Sequence, residues 1–147
     1  EFCATLKVLP GEVELDADYS VIDAKREGVN NYGVMHYDNQ LIYIPLDKGS
    51  VGFFFSRHSI TTWFRSMSFK VRAIHTGERY ILDDNSKSLP SHITLGGSMT
   101  AEFSLSGSTA LVIYSAGNIS NVSYLVMPGY PMPGINHSVT ISYNIKI

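Results

Sequence analysis

Apolar and polar side chains alternate at every second position along most of this chain, the signature of half-buried β-strands. The clearest run is Met67-Ser-Phe69-Lys-Val71-Arg-Ala73, with Met67, Phe69, Val71 and Ala73 on one face and Ser68, Lys70 and Arg72 on the other. Residues 139–147 repeat the pattern with five apolar side chains at alternate positions, and residues 101–105 repeat it again. A dry face opposite a wet face marks an antiparallel sheet. Further strands are expected over residues 5–9, 12–15, 32–37, 40–45, 51–55, 79–82, 92–95, 110–114 and 122–127. The continuous apolar runs 51–55 and 110–114 read as buried on both faces.

Turn signals separate these runs: Pro10-Gly11, Asp38-Asn39, Lys48-Gly49, Thr76-Gly77, Asp84-Asn85, Gly96-Gly97, Ser106-Gly107 and Gly117-Asn118. Asp38-Asn39 between two apolar strands reads as a tight hairpin, because both residue types tolerate positive φ. About ten strands with short turns and little or no helix predict an all-β fold, an antiparallel two-sheet β-sandwich. Jelly-roll, immunoglobulin-like and CUB-like strand orders all stay open. Two stretches depart from the pattern. Residues 18–31 are polar and read as a loop or short helical turn, and residues 127–136 hold three prolines and two glycines, which bars them from a ladder. No repeat or linker divides the chain, so residues 1–147 are expected to form a single sandwich domain.

Composition adds three constraints. Hydrophobic residues make up 44% of the 147, enough to close a core, while charged residues are only 16%, against about 25% in an average domain. That profile suits extracellular β domains and also subunits that bury their sides against neighbours. Charge is unevenly spread: residues 1–56 hold nine acids and four bases, whereas residues 57–79 hold five bases and one acid. So small a basic stretch, without a recognition helix, argues against nucleic acid as a partner. No apolar run approaches the roughly 18 residues of a spanning helix. Cys3 is the one cysteine, which excludes an internal disulfide and leaves an intermolecular one as a candidate. Secretion is the expected location.

The sequence holds no zinc-protease, nucleophile-elbow or phosphate-loop motif. The five histidines fall at no metal-ligand spacing, although His75 ends one expected strand and His92 begins another. Asp16 and Asp18, and Asp83, Asp84 and Asn85, read as solvated turn acids, since the ordered oxygen ligands of a calcium loop are missing. No catalytic residue, metal or cofactor is expected. Three sequons, at Asn118, Asn121 and Asn136, are candidate glycan acceptors. The proline-stiffened loop displays Met127, Tyr130, Met132 and Ile135, residue types favoured at contacts, on a backbone that loses little entropy on docking. Trp63 could stack on a sugar beside Lys70 and Arg72, which share a wet face.

These features point to a non-catalytic extracellular recognition or adhesion domain that binds a protein or glycan on a surface through loops at one end of the sandwich. Two alternatives stand beside it: a structural subunit of a self-assembling surface fibre or capsid-like shell, and a lectin-like carbohydrate-binding module.

Overall fold

The structure, a computed structural model, describes residues 2–9, 12–30 and 33–145. It is all-β, with no helix among the described residues. The strands are β1 (Phe2–Leu9), β2 (Val13–Val21), β3 (Lys25–Asn30), β4 (Gly33–Gln40), β5 (Asp47–His58), β6 (Phe64–Thr76), β7 (Arg79–Tyr80), β8 (Ser88–Leu89), β9 (His92–Leu105), β10 (Ser108–Gly117), β11 (Leu125–Met127), β12 (Tyr130–Pro131) and β13 (Asn136–Asn144). Seven of them form one antiparallel sheet in the order β1-β2-β5-β6-β9-β10-β13. The other six pair as three two-stranded sheets, β3-β4, β7-β8 and β11-β12.

The large sheet is a meander in which each strand lies beside the next one of the series. Three connections at one end are short, such as the two-residue turn Ser106-Gly107, where both φ angles are positive and match the twist of a tight hairpin. The three connections at the other end each carry one of the small two-stranded sheets. All the insertions therefore gather at a single end of the large sheet.

Cross-strand register explains the alternation read from the sequence. Phe55, Phe69, Met99, Tyr114 and Val139 stand opposite one another across β5, β6, β9, β10 and β13. Met67, Ala101, Val112 and Ile141 form the next apolar row. The opposite face carries the polar partners, among them Asp16, Gly52 and Arg72 in one row. Among the described residues no second large sheet covers the apolar face. Val51 is 60% exposed, Ile93 57% and Ile141 71%, while Val71 and Phe103 are half-buried. Runs 51–55 and 110–114 thus lie within β5 and β10 with neither face fully buried, because a single sheet layer offers nothing to pack against.

Several expected turns fall inside strands. Lys48-Gly49 lies in β5 and Gly96-Gly97 in β9. These glycines mark close cross-strand approaches, since a side-chain carbon at Gly49 would meet Asp18 O at 2.8 Å and one at Gly97 would meet Lys70 O at 2.9 Å. Asp38-Asn39 belongs to β4, not to a hairpin turn; Asn39 Nδ2 donates to Asp83 O at 2.9 Å, tying it to the neighbouring insertion. The polar stretch 18–31 is mostly strand, because Tyr19 and Val21 continue the apolar face of β2 while Asp18 continues its wet face. In the proline-rich loop, β11 and β12 do make a short ladder, which Pro131 tolerates at the end of a two-residue edge strand. The expected turn at Pro10-Gly11 and the last two residues of the C-terminal run lie outside the described residues.

Candidate functional site

Loops held by a rigid scaffold are where binding surfaces are usually built, and here three insertions meet at one sheet end. Their side chains and backbones are tied together. Gln40 is buried; its Oε1 accepts from Ala24 N at 2.9 Å and its Nε2 donates to Ile22 O at 3.3 Å, which closes the first insertion on itself. Asn85, in the left-handed region at φ 56°, clamps the backbone of Gln40: Gln40 N donates to its Oδ1 at 2.7 Å and its Nδ2 donates to Gln40 O at 2.9 Å. Tyr43 N donates to Tyr80 O at 2.8 Å. The second insertion is tied to the third by Arg79, only 7% exposed, whose Nη2 donates to Leu125 O at 2.9 Å.

The third insertion carries the proline-rich loop and is pinned from within. Asn118 is buried at φ 47°; its Nδ2 donates to Val122 O at 2.8 Å and Pro133 O at 3.1 Å, and its Oδ1 accepts from Val122 N at 3.0 Å. Asn121 Oδ1 accepts from Ile135 N at 3.1 Å. On this fixed backbone Met127, Tyr130, Met132 and Ile135 all project into solvent, Tyr130 being 71% exposed. Gly129, at φ 79°, makes the turn at the tip. Beside the loop a recess of about 420 Å³ is lined by Pro90, Ser91, His92, Val122, Ser123, Tyr124 and Leu125. His92 stacks on Tyr124 with ring centroids 4.2 Å apart. Burial, followed by the nearby Arg79 charge, holds the His92 imidazole below its ordinary pKa.

Of the three sequon asparagines, Asn121 and Asn136 are exposed, whereas Asn118 has both amide hydrogens committed to carbonyls. A glycan on that nitrogen would displace at least one of these bonds. The acidic turn is also spoken for: Ser86 N and Ser86 Oγ donate to Asp84 Oδ1 at 3.0 and 2.7 Å and hold the carboxyl below its usual range. No group of three or more metal-ligating side chains comes together among the described residues.

Trp63 does not join the loop. It lies in the β5-β6 connection, at the short-turn end, while the loop joins β10 to β13 at the other end. About 30 Å separates these ends at ~3.3 Å per strand residue. Trp63 is 59% exposed and stacks at 6.1 Å on Phe103. Lys70 and Arg72 do share the polar face, in mid-sheet. Lys70 is exposed, but Arg72 is engaged: its guanidinium reaches over Gly52 to pair with Asp16, and its Nη1 donates to Ser50 Oγ at 2.6 Å. Arg72 thus ties basic β6 to acidic β2 across β5.

His75 and His92 adjoin in register but point to opposite faces, since His75 stands opposite Ile93 and His92 opposite Thr76. His75 Nε2 lies 2.8 Å from Asp47 Oδ2, and Tyr19 donates its hydroxyl to the same oxygen at 3.0 Å, which holds the Tyr19 phenol above its usual pKa. Cys3 is a free, exposed thiol on the edge strand β1. The ties made by buried Gln40 and Arg79 and by half-buried Asn85 escape sequence reasoning. Their one legible trace is an asparagine in a turn, a residue suited to the left-handed region and to backbone hydrogen bonds. A comparison of the chain with known protein families, curated proteins and solved structures finds no match to any of them.

Proposed function

We propose that this chain is a non-catalytic recognition or adhesion domain of an extracellular surface, and that its contact region is the cap formed by the three insertions. The observation that carries the reading is the loop 127–135. Its apolar side chains face solvent, Tyr130 most of all, although its backbone is held by Asn118 and Asn121. A rigid backbone with exposed Tyr and Met side chains suits a contact surface, because little freedom is left to lose on docking.

The test is binding of the purified chain to a glycan array and to immobilised extracellular-matrix proteins. Replacing Tyr130 and Met132 together by Ser is expected to weaken the binding about tenfold or more, as loss of a contact anchor does, with Tm unchanged. A wild-type chain that binds neither class of surface refutes the reading. A drop in Tm of the double variant would make the loop a core cap. Signal confined to the glycan array, and lost with Trp63→Ala but not with the loop variant, would favour the lectin-like alternative at the opposite end.

The uncovered apolar face favours a second reading, a structural subunit of a surface fibre or shell, in which the two-sheet sandwich is completed between subunits. Electron microscopy of concentrated protein separates the two, since open-ended association yields filaments or shells and a discrete particle does not.

A further inference from the structure

We infer that the apolar face of the seven-stranded sheet is covered by the same face of a second copy of this chain, so that two copies together make one β-sandwich. This surface is distinct from the cap and does not depend on the recognition reading.

Surface area is the first support. The chain exposes 10175 Å², whereas a folded monomer of 16.3 kDa exposes about 7,500 Å² by the scaling of surface with mass. The excess of about 2,700 Å² per chain is large even beside obligate homodimers, whose interfaces bury roughly 2,000–5,000 Å² over both partners. A monomer seldom shows contiguous apolar patches beyond a few hundred Å².

The excess also has a definite place. Val51, Phe69, Met99, Tyr114 and Ile141 stand out from neighbouring strands on one face, and the row between those of Val51 and Phe69 is apolar from Leu15 through Phe53 and Val71 to Ala116, with His137 at its β13 edge. Charged positions on that face sit at its ends, Asp47 at the start of β5 and Arg57 near its close. The opposite face carries exposed apolar side chains only singly, Phe54 beside Lys70 and Ile74 beside Ser50, while Asp16, Asp18, Ser50 and Arg72 satisfy one another within the chain.

A second copy is the occupant that fits. A two-fold contact brings a patch onto itself, so the patch must complement itself, and a broad neutral apolar sheet does. Two such sheets stack at about 10 Å with their inner side chains interleaved, as in any sandwich. Every strand keeps the alternation that the sequence prescribes, and the dry interior forms between chains.

The experiment places a thiol at the centre of the face, Met99→Cys in a Cys3→Ser background, and follows sedimentation and iodoacetamide labelling of the whole chain. The expected result is a particle of twice the 16.3 kDa chain mass, or a whole multiple of that pair. Its thiol should label about tenfold or more slowly than in the dissociated chain, because labelling requires opening. Ile141→Glu should give a monomer with a fast-labelling thiol and an unchanged β circular dichroism spectrum. Thr140→Lys, one residue along on the polar face, should leave the particle intact. Three results would overturn the inference. One is a dimer whose thiol labels freely, which means edge-to-edge pairing. Another is a monomer, whether its thiol is free or shielded by its own chain. The last is a monomer that floats with phosphatidylcholine vesicles, which makes lipid the occupant.

Discussion

Gly52 has no side chain, and this lets β2 and β6 meet over β5. Asp16 and Arg72 stand on either side of it in one row, and the carboxylate lies so close that a methyl group at Gly52 would collide with it. Gly52→Ala should push Asp16 aside, break its pairing with Arg72 and cost about 1 kcal/mol, the scale of a cross-strand pair that is partly exposed. Chemical denaturation checks the value, and Asp16→Asn should cost a similar amount without adding to Gly52→Ala. His92 gives a second test at this scale. Its folded pKa is depressed below the ordinary 6.5, so the unfolded chain binds the proton more readily. Stability is then complete above the unfolded value and falls as pH drops through the folded one. Melting curves from pH 7.5 down to 5 should show this loss, and His92→Phe, which keeps an aromatic ring against Tyr124, should flatten it. An equal slope in both proteins would rule out His92 as the cause.

Among the elements, the third insertion depends on Asn118. Its amide satisfies Val122 N, Val122 O and Pro133 O, and its removal leaves these backbone groups short of partners, at about 1–3 kcal/mol. Asn118→Gly loses only those bonds, whereas Asn118→Ala adds about 1–2 kcal/mol for a Cβ in the left-handed region. The difference between the two variants, read from denaturant midpoints, therefore separates backbone strain from hydrogen bonding; equal losses would deny the strain. This element also shows where sequence reading stops. The alternation 67–73 identifies β6 and its two faces, and Ser106-Gly107 identifies a real turn, because both follow from local geometry. That the loop after β10 meets the segment between β6 and β9 depends on strand order, which no local pattern encodes. Trp63 stands near Lys70 and Arg72 in sequence, but the connection that carries it lies at the sheet end away from the loop. Gly49 and Gly97 resemble turn residues in a string of letters, and Gly52 is a gap in the apolar run 51–55. Only the register reveals that each is narrow so that neighbouring strands can come together.

At the scale of the whole molecule, one layer of sheet with one greasy side cannot by itself provide the dry interior that the alternation calls for. If that interior forms between two copies, folding and association become one equilibrium, and stability must rise with protein concentration. An unfolding entropy of about 2.1 cal/mol/K per residue, taken over two chains of 147 residues, turns each tenfold increase in concentration into about 2 °C of Tm. Calorimetry from micromolar to hundreds of micromolar resolves such a slope. The nature of the contact adds a sign. An apolar interface is not weakened by sodium chloride, which screens charges, and it is strengthened by sulfate, which favours apolar burial. The slope with concentration should therefore persist at high sodium chloride, and Tm should climb in sulfate. A Tm independent of concentration would leave the apolar face to an occupant other than a second copy, and a slope that vanishes in salt would place the contact on charged groups instead.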